Sequence, residues 1–468
     1  MLFPSLSLLA LAASLVTPFT YAHTAHDHAA AEYSLERRAT SCPSGSGSIV
    51  SSFWPAWLSS TQGPGTTSGS FPWSKNTHAF YFVVVTTSTG VSLPGGQTTA
   101  DITTFVKSAH KKGRKALFTV GGWSGSVYFS DHMISSAKRL AFAKSLETFR
   151  STYGFDGIDI DWEFIGRQGA GTNKVRAKDA ANFLLFLPQL RSTVGTSILI
   201  AASMPASGIT GADGASLAST AKYGAHIDLL TIMAYDMYAN SWSATTGPNA
   251  PLYTCNANSG SVQASVEQWI ASGFPACRIL LGVPGYSHVF RTKSTKLATT
   301  TFRGVKTTAF QTLLATQPSD PTTTYNGLIS NGWLSSDGTK GAGGYTRYWD
   351  ACTRTPFLFS PATKRWISYD DASSIGAKAL YARSKGLAGV NFYDSTGPSG
   401  AVYDAATKGL KGTFSTTAAR RKRSLQDEPW RLDEEDDDEE IYVDDFDFTP
   451  ELASEEVEET YSSWEEDV

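Results

Sequence analysis

Several things are scarce in this chain. Only four cysteines, Cys42, Cys255, Cys277 and Cys352, stand among its 468 residues. Their spacing matches no metal site, so they read as disulfides of an oxidising compartment. Four cysteines allow three pairings. Cys255 with Cys277 closes the shortest loop, so Cys255–Cys277 and Cys42–Cys352 are the expected bridges. The body holds no Asn-x-Ser/Thr acceptor, which argues against N-glycosylation. Beyond Leu8–Val16 there is no further long apolar run, which excludes a membrane-spanning helix and leaves no membrane partner. Basic residues are scattered and form no stripe interleaved with aromatics, so nucleic acid is not a partner either.

What is present is uneven. From Asp427 to the end there are 21 Asp and Glu against one base, Arg431. Between Ala39 and Ala419 there are 32 Lys and Arg against 19 Asp and Glu. Like charges repel and the acid run Glu434–Glu440 supports no core, so residues 427–468 read as a disordered tail. Residues 1–22 read as a signal peptide, with Leu8–Val16 as the apolar core and Thr20-Tyr21-Ala22 around the cleavage point, although no Lys or Arg precedes them. The expectation is a secreted, extracellular or cell-wall-associated, monomeric protein. A His- and Ala-rich piece, residues 23–38, follows and ends in Arg37-Arg38. Its histidines His23, His26 and His28 are metal-capable in principle, but the reading preferred is a propeptide. A basic linker, 413–426, carries Arg420-Arg421-Lys422-Arg423. Both basic clusters read as sites for a kexin-type processing protease.

Residues 39–412 alternate short apolar runs with helix-like stretches such as Ala137–Phe149 and Ala180–Leu190. The strand candidates are Ser48–Trp54, Ala79–Val85, Lys115–Gly121, Gly157–Phe164, Ser197–Met204, Asp228–Tyr235, Arg278–Gly285 and Gly386–Tyr393. Eight apolar strands alternating with helices predict a parallel α/β fold, a (β/α)8 TIM barrel. The long gap between the seventh and eighth predicts an α+β insertion at about 289–366.

The chemistry concentrates in Asp156-Gly157-Ile158-Asp159-Ile160-Asp161-Trp162-Glu163. In a strand, alternate side chains share a face about 6.6 Å apart. Asp159, Asp161 and Glu163 would then line the barrel interior, with Ile158, Ile160 and Trp162 on the outer face. Acids so close in a buried place do not all ionise freely, and some keep protons near neutral pH. That is how a carboxylic acid stays available as a proton donor. A calcium loop needs a different spacing, with a Gly and a distant bidentate acid, so no metal and no cofactor is expected.

Asp156-x-x-Asp159-x-Asp161-x-Glu163 resembles the signature of glycoside hydrolase family 18, the chitinases and their relatives. Other segments agree in order. Thr119-Val120-Gly121-Gly122-Trp123 resembles the third-strand motif, with Thr for Ser. Met233-Ala234-Tyr235-Asp236 resembles the sixth-strand motif. Gly247–Tyr253, Gly282-Val283-Pro284, Trp349-Asp350 and Trp366–Asp371 also resemble family segments, over roughly residues 47–410. The resemblance implies hydrolysis of β-1,4-linked N-acetylglucosamine polymers, chitin or chitooligosaccharides, by a retaining mechanism in which the substrate's acetamide replaces the enzyme nucleophile. It implies Glu163 as acid and base, Asp161 as holder of the acetamide N–H, Asp159 as its proton partner, and Tyr235 as donor to the acetamide oxygen. It further implies Asp156, Gly122, Trp123, Met233, Asp236, Trp242, Tyr286 and Tyr393 as substrate-binding residues, with Trp123 and Trp242 able to stack on sugar rings.

Two positions depart from the family. Tyr393 stands where the family usually has a Trp under the sugar being cleaved; it offers less area and a polar tip. His288, in Tyr286-Ser287-His288, stands where the family often has an Arg, and supplies no guanidinium fork. The remaining alternatives are an endo-β-N-acetylglucosaminidase acting on N-glycans, or a chitin-binding lectin without turnover. The presence of Glu163, which such lectins usually lack, and the long insertion favour a chitinase.

Overall fold

The computed structural model describes residues 41–415, except 59–70, 258–259 and 319–321. The expected signal, propeptide, basic clusters and acidic tail lie outside the described residues.

Seven of the barrel strands come first: β1 (Ile49–Pro55), β2 (His78–Thr86), β3 (Lys115–Gly121), β4 (Gly157–Asp161), β5 (Leu199–Pro205), β6 (Leu229–Met233) and β7 (Ile279–Pro284). After an excursion carrying strands β8 to β11 comes the last, β12 (Gly389–Tyr393). All barrel pairings are parallel, each strand beside its predecessor, and β12 lies between β7 and β1. The registers Ile49↔Gly389 and Ser51↔His78 join β1 to both neighbours and close the barrel. The eight apolar runs of the sequence are therefore these eight strands, in a (β/α)8 barrel. One boundary differs: β4 stops at Asp161, so Glu163 stands just past the strand rather than on it.

Alternation sorts the side chains into two cores. Ile49, Phe53, Phe80, Leu117, Ala201, Leu229 and Leu280 form a cluster inside the barrel. Val50, Trp54, Ala79, Tyr81, Ile158, Ile160 and Ile200 belong to the larger cluster beneath the helices. Trp162 joins that outer layer, stacked on Phe129 with ring centres 5.2 Å apart.

The main helices are α1 (Thr99–Lys111), α2 (Ser136–Tyr153), α3 (Asp179–Val194), α4 (Val262–Ala271), α5 (Ala372–Ser384) and α6 (Gly400–Leu410). Their ends follow side-chain chemistry. Ser135 Oγ accepts from the Lys138 amide, and Gly154, at φ +75°, ends α2 in the left-handed conformation. Asp371 and Ser374 form a capping box on α5.

The excursion between β7 and β12 builds an antiparallel sheet from β8 (His288–Arg291), β9 (Thr346–Asp350), β10 (Thr355–Ser360) and β11 (Arg365–Ser368), in the order β9-β10-β11-β8. Phe357 and Trp366 stack at its centre, 4.8 Å apart. A buried ion pair, Lys378–Asp370, and the 2.6 Å pair Arg347–Asp371 tie the sheet's return to α5.

The disulfides differ from expectation: Cys42 bonds Cys277, and Cys255 bonds Cys352. Nearness in sequence misled, because α4 lies between Cys255 and Cys277. Its ten residues carry the chain about 15 Å from one end of the barrel to the other. Cys255 is left beside the insertion, where the Leu252 amide donates to Thr353 O at 2.9 Å. Cys277 is left at the far end, beside Ser46, whose Oγ donates to its carbonyl at 2.7 Å.

Peptide mapping without reduction should recover Cys42–Cys277 and Cys255–Cys352 and no Cys255–Cys277 fragment. The double variant Cys255→Ala/Cys352→Ala should lose about 2–4 kcal/mol in denaturant unfolding; a loss under about 0.5 kcal/mol would show that this bridge does not stabilise the fold.

Candidate active site

The inside of the barrel is polar at mid-height. Thr119 lies opposite Asp159 across β3–β4, and Gly121 opposite Asp161. Asp159 is fully buried. Among the described residues no cation pairs with it; instead the Thr119 hydroxyl donates to it at 2.9 Å, and the Ser203 hydroxyl reaches its two oxygens at 3.2 and 3.1 Å. Burial pushes its carboxyl up to about 7, against the opposing pull of those hydroxyls.

Asp161, one step higher, is 3% exposed. Its Oδ1 is buried and has no hydrogen-bond partner. Burial first, then the nearby Glu163 and Asp159, raise its carboxyl far above the usual range. The backbone passes close here. A Cβ on Gly121 would lie 2.0 Å from the Asp161 carbonyl oxygen, so only glycine fits.

Glu163 is half-buried, and its backbone is held from two sides. Its amide donates to Ser126 Oγ at 3.0 Å, and its carbonyl accepts from Asn173 Nδ2 at 2.8 Å. Asn173 Nδ2 also donates to the Trp123 carbonyl, at 2.9 Å. Burial, reinforced by the charge of Asp236, pushes the Glu163 carboxyl up to about 7; Arg167 opposes the shift.

Gly122, Trp123, Asp161, Glu163, Met233, Tyr235, Asp236, Tyr286 and Tyr393 line one cleft of about 750 Å³ at the C-terminal ends of the strands. This is the end at which barrels of this kind carry their chemistry. Tyr235 and Tyr393 lie nearly parallel with centres 6.1 Å apart. Burial raises the Tyr235 hydroxyl well above its ordinary value, so it stays protonated and able to donate. Asp236, at φ +58°, is fixed by its amide donating to Asn249 Oδ1 at 2.7 Å. Its Oδ1 accepts from Tyr286 OH at 2.6 Å and His288 Nε2 at 2.7 Å. The histidine that stands where the family often has an arginine thus reaches the carboxylate by one nitrogen.

Three of the predicted residues lie outside the cleft lining. Asp159 sits beneath it. Trp242, 61% exposed, stands on the rim with its ring edge-on to His288 at 6.1 Å. Asp156 corrects the expectation of a substrate contact. It precedes β4 at the opposite end of the barrel, five residues and so roughly 16 Å below Asp161. There it accepts from Lys115 Nζ, the Ala116 amide and His110 Nε2, each at 2.9 Å. The alternation that groups acids on one face does not bring both strand ends together.

Residues 50–397 match the profile described as Glycosyl hydrolases family 18. The chain belongs to that family. A chitinase-like effector of Moniliophthora roreri is 33% identical over 392 residues, covering 78% of this chain and 93% of the effector. Chitinase A1 of Niallia circulans is 31% identical over 299 residues, 60% of this chain and 40% of that protein. A crystal structure of a chitinase from Rhizomucor miehei superposes with a TM-score of 0.67 at 24% identity, over 77% of this chain and 99% of that one. Asp159, Asp161 and Glu163 fall within the matched residues. The supports around them belong to this structure.

Sequence reasoning missed Ser126, Asn173, Ser203 and Arg167. Ser126 follows the third-strand motif closely enough to draw attention. Asn173 lies in a Gly-rich loop with no periodicity, and nothing local marks it.

The raised Asp159 sets a pH dependence. Its folded value, about 7, exceeds the unfolded value near 3.9. The fold therefore favours the protonated form. That stability is present below about pH 4 and is lost as pH rises through 7. Asp159→Asn should make melting temperature fall less steeply than wild type between pH 4.5 and 8.5. Parallel curves would show that Asp159 does not titrate there.

Proposed function

We propose that the protein is a secreted chitinase that hydrolyses β-1,4 bonds between N-acetylglucosamine units with retention, using the substrate's acetamide as nucleophile. The observation that carries the reading is the presence of two acids in one cleft. One, Glu163, holds its proton up to about pH 7. The other, Asp161, keeps a buried oxygen without a partner. An unpaired buried oxygen carries a desolvation cost that an N–H donor on a bound ligand would remove. An acetamide supplies that donor.

The steps are those the family resemblance implies. The acetamide carbonyl oxygen attacks the anomeric carbon as the bond to the leaving oxygen breaks, and Glu163 gives its proton to that oxygen. Asp161 accepts from the acetamide N–H and stabilises the positive oxazolinium ion. Tyr235 donates to the acetamide oxygen and directs its attack. Water then attacks the anomeric carbon from the face the leaving group vacated, breaking its bond to the acetamide oxygen, and gives its proton to the Glu163 carboxylate, restoring the acid. Asp159, held by Thr119 and Ser203, regulates how much negative charge Asp161 carries. Preorganised charge of this kind is worth more in a closed site than in water. Tyr393 forms the floor, and Asp236, set by Tyr286 and His288, binds a sugar hydroxyl. The two disulfides and the N-terminal apolar segment support secretion, with trimming after Arg38 and within Arg420–Arg423.

Glu163→Gln should lower turnover of a chromogenic chitobioside at least about 100-fold, the low end for a positioned acid, while chitooligosaccharide binding changes less than about threefold. Wild-type activity should fall as pH rises through about 7, where Glu163 loses its proton. NMR should find the β-anomer first. An α-anomer would refute the retaining scheme, and wild-type binding without turnover would make the protein a lectin.

Terminal sequencing of the secreted form should place its start near Ala39 and its end within Arg420–Arg423. Recovery of residues 23–38 on the mature chain would rule out the propeptide.

A further inference from the structure

The loop that leaves Glu163 folds back hard on itself. A Cβ on Gly169 would lie 2.1 Å from the Glu163 carbonyl oxygen. Gly166, at φ +74°, would place one 2.3 Å from the Thr210 carbonyl oxygen. No other residue fits either place without movement. Together with the Asn173 bridge between the Glu163 and Trp123 carbonyls, these contacts fix the backbone on both sides of Arg167.

Arg167 lines the cleft wall. Its guanidinium carbon lies 4.2 Å above the centre of the Phe164 ring, and Phe164 meets Trp123 edge-on at 6.3 Å. Its Nη1 donates to Ser207 Oγ at 3.3 Å. Its Nε is buried and has no partner. Among the described residues no carboxylate pairs with it within 4 Å. A preorganised cation with unused donors is therefore built into the wall, and beyond its pull on Glu163 the hydrolytic steps assign it no contact with the sugar.

Its position gives it a side of the cleft. Tyr393 on the floor packs toward Phe53 and Phe82 of the first two strands. Arg167 and Ser207 stand beyond the fourth and fifth strands. Glu163, the proton donor, acts electrostatically on both Tyr393 and Arg167. The sugar over the floor reacts, and the sugar on the Arg167 side departs.

We propose that Arg167 is a specificity-determining residue that donates to an oxygen of the departing sugar and rejects a sugar carrying a free ammonium there. The ligand class is an N-acetylated rather than a deacetylated amino sugar at the first leaving-group position. A fixed cation a few ångströms from an ammonium opposes it across a cleft of reduced dielectric. An acetamide or hydroxyl oxygen in the same place satisfies a donor already in position.

The inference rests on the proposed hydrolysis, and the test separates the two. Partially deacetylated chitin is digested with wild type, Arg167→Met and Arg167→Lys, and both new chain ends are sequenced. New reducing ends are N-acetylated in every case, since the reacting sugar needs its acetamide. New non-reducing ends report the sugar that faced Arg167. In wild type and Arg167→Lys, glucosamine should be depleted there about tenfold relative to the substrate, the scale of one charged hydrogen bond. In Arg167→Met it should return to the substrate's proportion. A wild type that accepts glucosamine in proportion, or an Arg167→Met that keeps the bias, overturns the assignment. If wild type also fails on fully acetylated oligomers, the hydrolytic reading falls instead. Calorimetry at pH 5.5 with N-acetylglucosamine and glucosamine tetramers then decides: the wild-type preference for the acetylated tetramer should shrink about tenfold in Arg167→Met, and an unchanged ratio overturns the role of Arg167.

Discussion

Everything at the cleft depends on burying a carboxyl group inside a barrel without a cation to neutralise it. Asp159 sits at full burial among hydroxyls, and Thr119 and Ser203 satisfy its oxygens without supplying charge. A lysine or arginine there would hold the acid ionised. Hydroxyls leave the proton's place to burial and to the neighbouring acids. Burial raises Asp159 and Glu163 to about 7, and Asp161, which faces both, is raised well above the usual carboxyl range.

The backbone around this column is kept from drifting by contacts that are themselves uncharged. Gly121 lets the third strand press against the Asp161 carbonyl. Ser126 and Asn173 hold the Glu163 backbone from either side. The insertion supplies the opposite wall, where Tyr286 and His288 converge on one oxygen of Asp236. Asp236 and Arg167 add opposing charges at Glu163.

The strands and the acid column were legible in the sequence because each rests on a local rule, apolar runs of strand length and alternation by two. Where the reading went astray, the cause was distance. Asp156 belongs to the same alternating stretch but stands at the other end of the barrel. Trp162–Glu163 continues the pattern past the point where β4 ends. The disulfides failed for the converse reason, since a helix of one barrel height separates two cysteines that lie close in sequence. Asn173 and Arg167 act through loop geometry that only the folded chain creates. His288 was read as supplying no guanidinium fork; the fold brings its single nitrogen to Asp236.

The cysteine connectivity has a consequence for biogenesis. In order of synthesis the thiols are Cys42, Cys255, Cys277 and Cys352, and the native pairs, Cys42–Cys277 and Cys255–Cys352, interleave. No two consecutive cysteines are partners. A chain oxidised as it emerges meets a wrong partner first, because Cys255 is available to Cys42 before Cys277 is. Reaching the native connectivity from that state requires exchange of one bond for another through a free thiolate. The yield of active protein from a given host is thereby tied to how well its secretory compartment reshuffles bonds, as well as to how readily it forms them.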